Sequence, residues 1–116
     1  MNGKLTEAAL AGLATRALAG LGLEARDAAD CARILVLGEL MGLSTHGVGR
    51  IESYGERIDL GGIKARPAIR VERVAPAMAR VDGDNGVGPL VGMRALQAAI
   101  ALARETGVGA VFARAS

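Results

Sequence analysis

Gly86-Val87-Gly88-Pro89-Leu90-Val91-Gly92 lies between a short apolar segment and a long one, where a doubly wound dinucleotide-binding fold would carry its phosphate turn. Counted against G-x-G-x-x-G, the third glycine falls one residue late, and Pro89 sits inside the pattern. The stretch therefore reads as a hairpin-to-helix turn in which glycines adopt positive φ, not as a Rossmann fingerprint. Pro89 suits the first turn of a helix, and Leu90, Met93, Leu96, Ile100 and Ala103 fall on one face of it until Thr106-Gly107. Val108 to Ala113 then reads as a buried strand.

On the other side of the turn, Pro67 opens a segment in which Ile69 and Val71 alternate with Arg70 and Glu72, and Pro76 separates it from Met78 to Asp82. Two short antiparallel strands are predicted. Before Ala65 the texture is helical. Thr6-Glu7 starts a helix running to Ala19 with Leu10, Leu13, Ala17 and Leu21 in phase; Glu24 to Met41 forms a second with Ala28, Cys31, Leu35 and Met41 on one side. Ser44 or Thr45 can cap a third, carrying Val48, Ile51 and Ile58 and ending at Gly61-Gly62. The expected fold is α+β: an N-terminal helical bundle over residues 1–64, then the start of a small mixed sheet with a packed helix over 65–116.

Composition narrows the function. A chain of 116 residues that is 51% hydrophobic and 22% charged suits one compact domain, although one Tyr, one Phe and no Trp leave Ala, Leu and Val to form the core. A formal charge of +2 does not mark a nucleic-acid binder, and a helix-turn-helix reading of the first three helices has little support. Arg66, Arg70, Arg73 and Arg80 lack interleaved aromatics and read as a solvated face. Cys31 is alone and reads as a small buried hydrophobe; Met41, Met78 and Met93 read as core filler. The N-terminal apolar stretch is interrupted by Glu7 and Arg16, and the longest apolar run, Ile34 to Leu43, is broken by Glu39. Neither a signal peptide nor a membrane span of ~20 apolar residues is expected, and the chain reads as cytoplasmic. Asp82, Asp84 and Asn85 lack a Glu at the calcium-loop distance, so no metal is assigned.

His46 is the one histidine, and on a helix starting near Ser44 it shares a side with Arg50 and Tyr54. Two readings stay open from spacing alone. One is a solvated helix face with a capping histidine. The other is half a site for a small 2-oxo or 2-hydroxy acid: imidazole passes a proton near neutral pH, guanidinium grips a carboxylate through two parallel bonds, and a phenol orients a substrate oxygen.

Leu43-Ser44-Thr45-His46-Gly47-Val48-Gly49-Arg50, then Tyr54, Gly61-Gly62-Ile63, Pro67 and Asp82-Gly83-Asp84-Asn85-Gly86-Val87-Gly88, together resemble the opening of the malate/L-lactate dehydrogenase family of the second type. The likeness runs from the first helix to Ser116. It implies a non-Rossmann, NAD- or NADP-dependent oxidoreductase, typically a homodimer, that passes a hydride between the nicotinamide and a 2-oxo or 2-hydroxy acid. Carried over by position, His46 matches the histidine proposed to exchange a proton with the substrate oxygen, and Arg50 and Tyr54 match substrate contacts. Thr45 stands where many relatives have serine and keeps a hydroxyl beside the substrate. Relatives are several times longer and carry, soon after the last predicted strand, an Asn-His motif with a second catalytic histidine. The resemblance therefore implies an N-terminal segment holding little of the cofactor site. The alternative is an inactive remnant that serves at most for self-association.

Overall fold

A computed structural model describes residues 4–116, which form two compact units that divide after Gly61. The first is all helical and the second combines a three-stranded mixed sheet with one helix, so the α+β, non-Rossmann expectation holds.

In the first unit α1 spans Glu7–Gly20, α2 Ala25–Leu40 and α3 Arg50–Asp59, with a single 3-10 turn at Ser44–His46. Thr6 starts α1 by accepting the Ala9 N–H on its hydroxyl at 3.1 Å, which satisfies one of the donors a helix start leaves free. The buried side chains of α1 and α2 are small or aliphatic: Ala14, Leu18, Ala28, Cys31, Ala32, Leu35 and Val36. The alanines and Cys31 among them let two helices approach closely, while Leu18, Leu35 and Val36 fill the remaining space. Cys31 is fully buried as expected, and burial pushes its thiol up to about 12.

The phase of α1 differs from the sequence reading, because Ala14 and Leu18 face the core while Leu13 is 46% exposed. An Ala/Leu helix is apolar on most sides, so its period leaves the phase open and contact with α2 selects it. Met41 is likewise exposed, at the end of α2 and not in the core.

In the second unit β1 (Arg70–Ala75) and β2 (Met78–Asp82) pair antiparallel with Val71 opposite Val81 and Glu72 opposite Arg80, and the register slips between Arg73 and Ala75. After α4 (Gly88–Thr106), β3 (Ala110–Arg114) returns parallel to β2, giving the order β1-β2-β3. Ala79 and Val81 alternate with exposed Arg80 along β2 and are buried together with Val87, Leu90, Val91 and Leu102. The other sheet face is charged. Arg80 pairs with Glu72 at 2.6 Å, and Arg114 and Arg70 approach Asp82 at 3.2 and 3.7 Å around a groove of about 480 Å³. These cross-strand pairs are exposed and each contributes little, typically below ~1 kcal/mol.

Three expectations need correction here. The buried stripe of α4 runs through Leu90, Val91 and Leu102, leaving Leu96 and Ile100 exposed, because this helix too is apolar nearly all round. Strand β3 is mostly exposed, with Phe112 outside and Val111 half-buried, since it lies at the edge of the three-stranded sheet. In the turn before α4 the residues at positive φ are Asp84 (49°) and Asn85 (58°), not the glycines. Gly86 donates to the Gly83 carbonyl at 2.9 Å, closing a tight turn of the kind Asp and Asn tolerate. Lys64 at 2.8 Å and the Ala68 N–H at 2.9 Å hold the Asp84 carboxylate, and they lower its pKa.

Candidate active site

The Leu43–Tyr54 segment does not form the single helix expected from its sequence. Ser44–His46 makes one 3-10 turn, Gly47–Gly49 breaks the path, and α3 starts only at Arg50. Neither Ser44 nor Thr45 caps α3, whose N-cap is Gly49 without a side-chain bond. His46 therefore stands outside the helix that carries Arg50 and Tyr54. The reason is partly local, since three glycines within 47–55, two of them before Arg50, weaken any continuous helix, and partly tertiary, since Gly47 lies in contact with Glu39 of α2.

What the structure brings together is two pairs. Thr45 Oγ1 lies 3.0 Å from His46 Nδ1, both residues being exposed. With the hydroxyl as donor, the neutral ring keeps its proton on Nε2; with Nδ1–H as donor, Nε2 becomes an acceptor. The second arrangement also suits the imidazolium, so Nδ1–H can stay on the Thr45 oxygen while Nε2 alternates between protonated and bare, the two states a reversible proton exchange requires.

The second pair is Arg50 and Tyr54. The guanidinium carbon sits 6.0 Å from the ring centroid, at the outer reach of a cation–π contact, while Arg50 itself is exposed. Tyr54 is not on a free polar side as expected. It is the buried residue of α3, at 7% exposure, and burial first and the neighbouring Cys31 second raise its pKa, against the opposing hydrogen bond and charge of Arg50. Its phenol thus stays neutral beyond the ordinary range.

That shift has a measurable consequence, because Tyr54 is the one tyrosine and there is no tryptophan. Absorbance near 295 nm is expected to titrate with a midpoint above the ordinary 10.0 in the folded chain and near it in urea. The unfolded chain then releases the proton first, so stability is fully present below pH 10 and falls as pH rises through the folded midpoint. Equal midpoints in both states would contradict the burial.

Two positioning features escaped the sequence reading. Gly38 of α2 lies against the 3-10 turn so closely that a Cβ there would stand 2.6 Å from the His46 carbonyl oxygen. Glu39, next to it, accepts the Val48 N–H at 3.0 Å. The available signal was Glu39 itself, a lone acid in the apolar run Ile34 to Leu43, since a half-buried carboxylate requires a partner.

Two glycines in the turn before α4 make close approaches to other parts of the chain. A Cβ on Gly83 would meet the Ala115 carbonyl oxygen at 2.6 Å and one on Gly86 would meet Pro67 at 2.7 Å, so protein already occupies the space those glycines leave. Among the described residues no three His, Cys, Asp or Glu side chains are grouped to hold a metal ion, and no helix is long and apolar enough to cross a membrane.

The described residues thus form an α+β, non-Rossmann chain that presents a hydroxyl-tethered histidine one short loop before an Arg–Tyr pair. The family model described as malate/L-lactate dehydrogenase matches residues 5–116, and the chain belongs to that family. It is 44% identical over 101 residues to a malate dehydrogenase of Pyrococcus horikoshii, covering 87% of this chain and 28% of that protein. It is 33% identical over 108 residues to the ureidoglycolate dehydrogenase (NAD(+)) of Escherichia coli, covering 93% and 31%. The solved structure of malate dehydrogenase from Pyrococcus horikoshii OT3 superposes with a TM-score of 0.90 at 40% identity, over 97% of this chain and 32% of that one. The chain thus spans less than a third of the length of these relatives.

Proposed function

We propose that residues 44–54 supply the proton-exchanging and carboxylate-binding part of an NAD- or NADP-dependent oxidoreductase that interconverts a small 2-oxo acid and its 2-hydroxy acid. The observation that carries this reading is the pairing of an exposed His46, its Nδ1 already engaged by Thr45, with an exposed Arg50 braced on Tyr54. Nε2 of His46 gives the proton to the substrate oxygen during reduction and takes it back during oxidation. Arg50 holds the substrate carboxylate through its planar fork. Tyr54, buried and neutral, keeps that fork in place from below, and the Thr45 hydroxyl lines the site beside His46. The nicotinamide is the hydride partner of the reaction; the residues present here bind and orient the acid and manage its proton. The named relatives act on malate and ureidoglycolate, both 2-hydroxy acids, which supports the substrate class. The same reading makes the working protein a cytoplasmic homodimer with its division between helical and mixed parts near residue 64.

Calorimetric titration with oxaloacetate tests the assignment. Arg50→Ala is expected to weaken binding by about 10- to 100-fold, the loss typical of a charge-assisted bond, with Arg50→Lys between the two. Unchanged affinity in Arg50→Ala would remove Arg50 from the site.

A further inference from the structure

Helix α3, which carries Arg50 and Tyr54, starts without a side-chain cap, and the connection leading into it is held by a carboxylate from α2. Glu39 Oε1 accepts the Val48 N–H at 3.0 Å, two residues before Arg50 and two after His46. Gly47 is buried directly over the same carboxylate: a Cβ there would collide with Oε1 and stand 2.5 Å from Cδ and 2.8 Å from Cγ. The carboxylate therefore grips the short connection from its middle, by a charge-assisted bond on one residue and by contact that only glycine permits on the other. A negative group at this place also suits the positive end of the α3 dipole.

We infer that Glu39 is the positioning residue of this site: it fixes the Gly47–Val48 connection and thereby sets the spacing between His46, which exchanges the proton, and Arg50, which holds the carboxylate. The inference rests on the reading of His46 and Arg50 given above. Glu39 touches neither substrate nor cofactor; it acts through the backbone. Without it, Val48 loses its acceptor, and two glycines, Gly47 and Gly49, leave the connection free to take many conformations.

The test uses the isotope-labelled 116-residue chain, in which the imidazole signals come from His46 alone. Glu39→Ala is expected to speed Val48 amide exchange at least about tenfold, to shift the His46 imidazole resonances, and to weaken oxaloacetate binding about tenfold. Glu39→Gln keeps a carbonyl acceptor and is expected to restore all three to within about threefold of the parent. Gly47→Ala leaves Glu39 in the sequence but displaces its carboxylate, so it should reproduce Glu39→Ala and guards against a misfolded Glu39 variant. Parent-like Val48 exchange and His46 resonances in Glu39→Ala overturn the inference, as does a Glu39→Gln variant that behaves like Glu39→Ala. Failure of the parent chain to respond to oxaloacetate would instead overturn the reading of the site, while the Val48 and His46 signals still decide the role of Glu39.

Discussion

His46→Ala is expected to lower kcat for oxaloacetate reduction by about 10²- to 10⁴-fold in any preparation of this protein that turns over with NADH or NADPH, while oxaloacetate affinity moves by less than about threefold. The expectation follows from where charge develops. As hydride reaches the carbonyl carbon, the carbonyl oxygen becomes an alkoxide, a base far stronger than any carboxylate present. Protonating it in the transition state lowers the barrier, and an imidazolium that gives up its Nε2 proton is suited to do so, because it ends as a neutral ring. Thr45 Oγ1, 3.0 Å from Nδ1, can accept the Nδ1–H that the ring carries both before and after the transfer. In the proposed reading the substrate carboxylate stays on Arg50, which is why affinity should survive. Initial-rate kinetics in both directions give the split between kcat and KM. A variant with kcat within fivefold of the parent would remove His46 from the proton path.

Much of the fold could be read from residues whose physics is local. Pro89 and the late Gly92 exclude the phosphate turn by counting, Pro67 and Pro76 bracket the first strand, and Thr6 marks the start of the first helix. Selection of a helix face could not be read this way. Helices α1 and α4 are apolar on most sides, so the sequence period is equally consistent with Leu13 or Leu18 inward, and with Leu96 or Leu102 inward; the partner surface decides, placing Leu18 and Leu102 in the core. The candidate site was legible as residue types and spacing but not as geometry. Spacing of four and eight residues after His46 suggested one continuous helical face, yet the break at Gly47–Gly49 depends on contacts with Gly38 and Glu39, which lie on another helix. Tyr54 was misplaced for the related reason that an amphipathic residue fits either side of α3, and its ring goes inward beside Cys31.

Gly38→Ala separates these tertiary constraints from local propensity, because the two predict opposite signs. In the interior of a helix, alanine normally stabilises relative to glycine by roughly 0.5–1 kcal/mol, through lower entropy in the unfolded chain. At Gly38, however, the new Cβ would stand 2.6 Å from the His46 carbonyl oxygen and 3.0 Å from its carbon, both backbone atoms that no rotamer change can move. The Gly38 carbonyl is also the acceptor for the Leu43 N–H at 2.8 Å, so the start of the same loop is tied to the same residue. Relief requires the 3-10 turn to move away from α2, which carries His46 with it and stretches the Val48–Glu39 bond. Overpacking of this kind costs about 1–3 kcal/mol, enough to outweigh the propensity gain. Gly12 on α1 is the control, since a Cβ there meets only the flexible end of Arg16 at 3.5 Å and should give the usual gain. Urea unfolding followed by circular dichroism is expected to show Gly12→Ala equal to or more stable than the parent and Gly38→Ala less stable, with the His46 imidazole resonances displaced only in the latter. If both substitutions stabilise the chain, α2 and the His46 turn are not in contact at Gly38, and the positioning of the site from α2 fails with that contact.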